Sequence, residues 1–198
     1  MFETPMKSLL PIIAFALVPL SATSQEPGKQ PTQAREPQTK LEQFQAKTGT
    51  VIIMAFSKVG GLPAQYGASI AVETREFTDA STGSKQFGIT IEVKETGRIE
   101  RQNTSFIDLD EIESLLKRID YIAGVDKRVT KLSDFQTDYR TKGDFGVSTY
   151  STSKGDIGVA VKSGRYGGVT AYIDSKDLPR LRQLIATAQA TLQTLKGP

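Results

Sequence analysis

The chain has 198 residues, of which 38% are hydrophobic and 24% are charged, with a formal net charge of +3. These values fit a globular protein and exclude a disordered or multi-spanning membrane chain. The chain contains no cysteine, histidine or tryptophan, which excludes disulfides, thiol nucleophiles, imidazole catalysis and the usual transition-metal sites. We therefore expect no cofactor and no enzymatic activity.

The N-terminal residues have the pattern of an export signal. Lys7 precedes an apolar run at residues 9–20, and small residues follow at 21–24. This order predicts a signal peptide over residues 1–24 and a mature chain that starts near Gln25. The run is shorter than the roughly 20 residues that cross a bilayer, so we expect a periplasmic or extracellular protein that does not span a membrane.

Residues 25–47 are rich in Gln, Pro, Thr and Lys. Such a segment buries too little apolar surface to offset the entropy of ordering it, so the sequence predicts a flexible tether. Leu41, Phe44 and Ala46 could form a short helical or docking piece at its end. The folded part is predicted as one domain over residues 48–198.

The first half of this domain, about residues 50–125, is predicted to contain strands and then a helix. Residues 51–56 are apolar on both faces, which is typical of a central buried strand. Residues 69–77 and 87–93 favour further strands, the latter with a clean period of two. Apolar residues then recur at helical spacing over 109–122. Asp108, with Glu111 three residues on, predicts a capping box at the start of this helix.

The second half, about residues 130–196, repeats this order. Four strands are predicted at 135–140, 145–152, 156–162 and 168–173, and glycine turns separate them. The last helix is predicted from Asp177, and its apolar stripe consists of Leu178, Leu181, Ile185, Ala188, Leu192 and Leu195. The sequence therefore predicts an α+β fold of antiparallel sheets with two amphipathic helices, arranged as two strands-then-helix halves.

Tyrosines and basic residues on the second-half strands are the candidate contact surface: Arg140, Tyr150, Lys162, Arg165, Tyr166 and Tyr172. Aromatic rings beside cations are typical of surfaces that stack single-stranded nucleic acid. The order of strands and then a helix, given twice, also resembles the single-stranded-DNA-binding fold of Whirly and PC4-type proteins, which implies such a partner. Interleaved aspartates and the predicted export argue against nucleic acid and favour a protein or surface partner.

Four acidic residues cluster at the start of the first long helix: Asp108, Asp110, Glu111 and Glu113. They could bind a hard cation or act as a general acid and base. Acids in a first helical turn also stabilise the helix dipole, and the spacing lacks the central glycine of a calcium loop. We therefore interpret them as structural.

The sequence favours an exported, non-catalytic binding or structural module. One alternative is a binder of single-stranded nucleic acid or another polyanion on the second-half sheet, which would bind in a steeply salt-dependent manner. The other is a glycan-acting enzyme, which would need two carboxyl groups roughly 5–9.5 Å apart across a cleft.

Overall fold

The computed structural model describes residues 36–197. The predicted signal peptide, and residues 25–35 of the predicted tether, lie outside this range. The described residues form three α-helices and eight β-strands: α1 (Lys40–Gln45), β1 (Ile52–Pro63), β2 (Ser69–Asp79), β3 (Lys85–Glu95), β4 (Arg101–Asp108), α2 (Leu109–Ala123), β5 (Gln136–Arg140), β6 (Phe145–Ser151), β7 (Ile157–Ser163), β8 (Val169–Asp174) and α3 (Leu178–Lys196).

The strands form two four-stranded antiparallel sheets, with the orders β1-β2-β3-β4 and β5-β6-β7-β8. A long helix follows each sheet, so the predicted α+β fold with two strands-then-helix halves is confirmed. Strand β4 was not predicted. On the face that it turns to the core, Arg101, Asn103 and Ser105 are polar, so Ile107 is the one apolar residue there and the strand shows no apolar alternation.

One hydrophobic core joins the two halves. It combines the inner faces of both sheets with the buried stripes of α2 and α3, and includes Ile91, Val161, Leu115 and Ile185. Leu195, predicted to belong to the buried stripe, is exposed because the last turn of α3 continues beyond its last buried residue. Within residues 36–197, no helix combines the length and the apolar character that crossing a bilayer requires.

The position predicted for the first strand, β1, is wrong. It was predicted as a central buried strand, but among the described strands it lies at the edge of its sheet and pairs with β2 alone. A strand that is apolar on both faces is usually covered on both. Here α3 covers only the second half of β1, where Leu62 is buried and where a Cβ on Gly60 would come within 2.7 Å of Leu184.

Helix α1 lies at the end of the predicted tether, where a short helical or docking piece was expected. The Thr39 hydroxyl accepts a hydrogen bond from the Glu42 backbone N–H, and the Glu42 carboxylate accepts one from the Thr39 N–H. Leu41 is fully buried, and a Cβ on Gly88 would come within 2.4 Å of its side chain. A capping box and one buried leucine thus dock this segment on the domain, although its composition is that of a flexible chain.

Candidate functional site: the tyrosine cleft

The outward face of the second sheet carries most of the predicted contact residues. Residues paired across neighbouring strands point to the same side of a sheet. Arg140, Tyr150, Lys162 and Tyr172 therefore share this face. The face consists of three rows across the strands: Gln136-Tyr150-Gly158-Asp174, Asp138-Ser148-Ala160-Tyr172 and Arg140-Gly146-Lys162-Thr170.

Two tyrosines meet at one end of this face. The Tyr150 ring lies over Gly158, where an added Cβ would come within 2.5 Å of the ring. The Tyr172 ring packs edge-on against Tyr150, with the ring centroids 6.4 Å apart. Burial raises the pKa of Tyr150, and the neighbouring Tyr172 and Tyr66 add to this effect. Tyr150 therefore stays a neutral phenol that can donate a hydrogen bond.

A third tyrosine comes from the first half of the chain. Tyr66 lies in the 3-10 turn Gln65–Gly67 between β1 and β2, in the left-handed conformation with φ 58°, and is 84% exposed. The Gln65 side-chain amide donates to the Asp174 carboxylate across 3.1 Å, which holds this turn against β8. The sequence did not predict Tyr66 as a site residue, because Gln65 and Asp174, whose contact brings it to the site, are 109 positions apart. The local sequence shows only the glycine of a turn.

The three tyrosines surround an open cleft of about 510 Å³, which we call the tyrosine cleft. Its remaining lining consists of Gln65, Gln136, Ser148 and Ala160. None of the described residues that line the cleft is charged. Small side chains form the floor, aromatic rings form the walls, and amides and a hydroxyl supply hydrogen bonds. This combination suits a neutral ligand that has both apolar faces and hydroxyl groups.

Carboxylates beside the cleft orient its polar side chains. Asp138 accepts hydrogen bonds from the Gln136 amide at 2.9 Å and from the Ser148 hydroxyl at 2.6 Å. On the same face, the cations Arg140 and Lys162 are matched in number by the anions Asp138 and Asp174. A surface that binds polyanions needs an excess of positive charge, which this face lacks.

Two of the six predicted contact residues lie elsewhere. Arg165 and Tyr166 are in the turn between β7 and β8, where the Arg165 guanidinium lies 5.6 Å from the centre of the Tyr166 ring. Tyr166 is 86% exposed and does not line the tyrosine cleft. The structure therefore brings four of the predicted residues onto one face and leaves these two on a turn.

The acidic cluster at the start of α2 is bound to other parts of the protein. Asp108 makes no side-chain cap on α2; its carboxylate instead accepts the backbone N–H groups of Lys40 at 2.8 Å and Leu41 at 3.1 Å. The predicted capping box is therefore wrong, because Asp108 caps α1 from 68 positions away. Asp110 pairs with Lys40. Over residues 36–197, no three or more Asp or Glu side chains are grouped so that they could hold a metal ion.

The folding stability of the protein should depend on pH through the Glu111 carboxyl. One carboxylate oxygen accepts the Lys142 backbone N–H at 3.0 Å, and the other is buried without a hydrogen-bond partner. Burial raises its pKa above the ordinary 4.5, so the folded state binds this proton more tightly than the unfolded state. Relative to Glu111→Gln, the wild type should lose stability as the pH rises from below 4.5 through the raised pKa.

Denaturant unfolding of both proteins over this pH range measures the difference. Glu113→Gln is the matched control, because Lys117 lowers the pKa of the exposed Glu113 carboxyl. This control should shift the pH dependence slightly in the opposite direction. If the free energy of unfolding depends on pH in the same way for the wild type and Glu111→Gln, the prediction is wrong.

Comparison with known proteins finds no family model that matches the chain, and no curated protein that matches it at a significant level. The function of the tyrosine cleft therefore has to follow from the chemistry of its own residues.

Proposed function

We propose that this protein is an exported, non-catalytic module that binds a neutral saccharide in the tyrosine cleft. The observation that supports this most is the convergence of three tyrosine rings, from both halves of the chain, around a cleft with an uncharged lining. The signal-like pattern of residues 1–24 supports export.

The lining matches the two kinds of surface that a sugar presents. Sugar rings have apolar C–H faces that pack on aromatic rings, and tyrosine offers a large, rigid contact at low entropic cost. The hydroxyl groups of the sugar need hydrogen-bond partners. Because Gln65 donates to Asp174 and Gln136 donates to Asp138, each amide is oriented with its carbonyl oxygen available as an acceptor.

The same lining favours binding over hydrolysis. Glycosidases place two carboxyl groups on either side of the scissile bond, roughly 5–9.5 Å apart. In the described part of the chain, the lining of the tyrosine cleft includes no carboxyl group. The nearby Asp138 and Asp174 accept hydrogen bonds from the two glutamines, which supports an orienting role.

Replacement of Tyr66 or Tyr172 by alanine tests this proposal. We expect each change to weaken binding by about fivefold or more, because a flat ligand group stacked on one aromatic ring, as measured for nucleic-acid bases, contributes about 1–3 kcal/mol. Affinity electrophoresis measures this as a loss of retardation in native gels that contain soluble neutral polysaccharides. Tyr121→Ala is the matched control, because Tyr121 is exposed on α2 and does not line the tyrosine cleft.

Two results would contradict the saccharide proposal. The first is a wild-type protein whose migration no neutral polysaccharide slows. The second is retention on heparin at low salt that Arg140→Gln and Lys162→Gln abolish while Tyr172→Ala does not. That pattern would instead assign the outward face to polyanions.

A further inference from the structure

The polar side chains of the tyrosine cleft donate hydrogen bonds to two carboxylates beside it. The Gln136 amide nitrogen lies 3.0 and 2.9 Å from the two carboxylate oxygens of Asp138, and the Ser148 hydroxyl donates to one of them at 2.6 Å. On the other side of the cleft, the Gln65 amide nitrogen donates to Asp174 at 3.1 Å. Asp138 belongs to β5 and Asp174 ends β8, so the first and last strands of the second sheet each supply one of these carboxylates.

A carboxylate fixes the direction in which each of these side chains faces, because it only accepts hydrogen bonds. Each glutamine turns its NH2 group to the carboxylate, so its carbonyl oxygen faces away from it. A serine hydroxyl has a single hydrogen, and Ser148 donates that hydrogen to Asp138. Its oxygen can therefore only accept from a ligand. The cleft thus presents three oriented acceptor oxygens, from Gln65, Gln136 and Ser148.

These acceptors distinguish between the oxygen atoms of a sugar. The ring and glycosidic oxygens only accept hydrogen bonds, so they suit the tyrosine hydroxyls as donors. The three acceptor oxygens need hydrogens, which the free hydroxyl groups of a neutral saccharide supply. A methyl ether or an acetyl ester at the same position has no hydrogen to donate. It would leave the facing acceptor without a partner, which weakens binding.

We propose that the tyrosine cleft selects saccharides with free hydroxyl groups over those in which these groups are O-methylated or O-acetylated. Asp138 and Asp174 are positioning residues in this selection. They do not line the cleft themselves, and they act by fixing Gln136, Ser148 and Gln65 with the oxygens toward the ligand. This inference rests on the saccharide proposal and names the class of saccharide.

Native affinity gels test the selection with the full-length protein. The gels contain a soluble glucan, mannan or galactan, each in its unmodified and its O-methylated form. For any of these that slows the wild type, we expect the dissociation constant to be about three- to tenfold lower for the unmodified form, because methylation removes hydrogen-bond donors.

Asp138→Asn and Asp174→Asn test the positioning. An asparagine side chain donates as well as accepts, so it allows the neighbouring glutamine to turn over and present NH2 to the cleft. We expect each change to lower the affinity ratio of unmodified to methylated polysaccharide by about threefold or more. A purely structural effect would weaken both forms equally and leave this ratio unchanged.

Both variants should fold, because Asp138 and Asp174 are exposed. Circular dichroism checks this. Glu113→Gln is the matched control, because it makes the same change from carboxylate to amide on the exposed side of α2. It should leave the affinity ratio at the wild-type value.

Two results would overturn this inference and leave the saccharide proposal intact. One is equal slowing of the wild type by the unmodified and methylated forms of a polysaccharide. The other is an affinity ratio that either aspartate variant leaves at the wild-type value. If no unmodified polysaccharide slows the wild type, the saccharide proposal itself fails, and this inference fails with it.

Discussion

Replacement of Gly143 by alanine should lower the free energy of unfolding by about 3 kcal/mol. Gly143 is buried in the turn between β5 and β6. An added Cβ would come within 1.9 Å of the Phe106 carbonyl oxygen and 3.1 Å of the Thr39 methyl group. The first of these atoms belongs to the backbone of β4, so a side-chain rotation cannot relieve the clash, and the second half would have to move away from the first.

Chemical denaturation measures this loss as a lower transition midpoint. Gly97→Ala is the matched control, because a Cβ there would approach nothing closer than 3.9 Å. The control should change stability by less than about 0.5 kcal/mol, as surface substitutions usually do. Equal midpoints for the two variants would show that the close approach of Gly143 to Phe106 is not part of the folded state.

Leu41→Ala is expected to cost a similar amount, about 2–5 kcal/mol. Leu41 is fully buried and lies against Gly88 of β3, so truncation leaves a cavity between α1 and the sheet. Its backbone N–H also depends on Asp108, whose carboxylate is buried with it. Loosening of α1 would therefore also expose the carboxylate that caps it.

The matched control for Leu41 is Leu195→Ala, since Leu195 is 59% exposed in the last turn of α3. Thermal unfolding should shift downward for the first variant and very little for the second. If both variants unfold like the wild type, α1 detaches before the main transition and is not part of the cooperative unit. Hydrogen exchange at the Leu41 amide would then show early opening.

The sequence predicted best the elements whose neighbours are close along the chain. The four strands of the second half follow one another through short glycine turns, so alternation and turn residues located each of them. Strand β1 was misplaced because a run that is apolar on both faces looks the same at a sheet edge as at its centre. A short helical or docking piece was expected at α1, but its partner was not, because no local pattern connects Asp108 to Lys40.

The candidate site shows the same limit: residues on successive strands could be grouped from the sequence, and a residue from a distant turn could not. Tyr150, Tyr172, Arg140 and Lys162 were predicted to act together, and strand pairing places them on one face. Tyr66 could not be found from the sequence. It reaches the tyrosine cleft only because two separate halves share a core.

This shared construction has a consequence for how the protein can be divided. Gln65 and Tyr66 belong to the first half, whereas all the other residues lining the tyrosine cleft belong to the second. Neither half carries a complete set of contacts by itself. A gene cut between the halves would keep the individual strands and helices of each half but would remove one wall of the tyrosine cleft, and with it part of the proposed binding site.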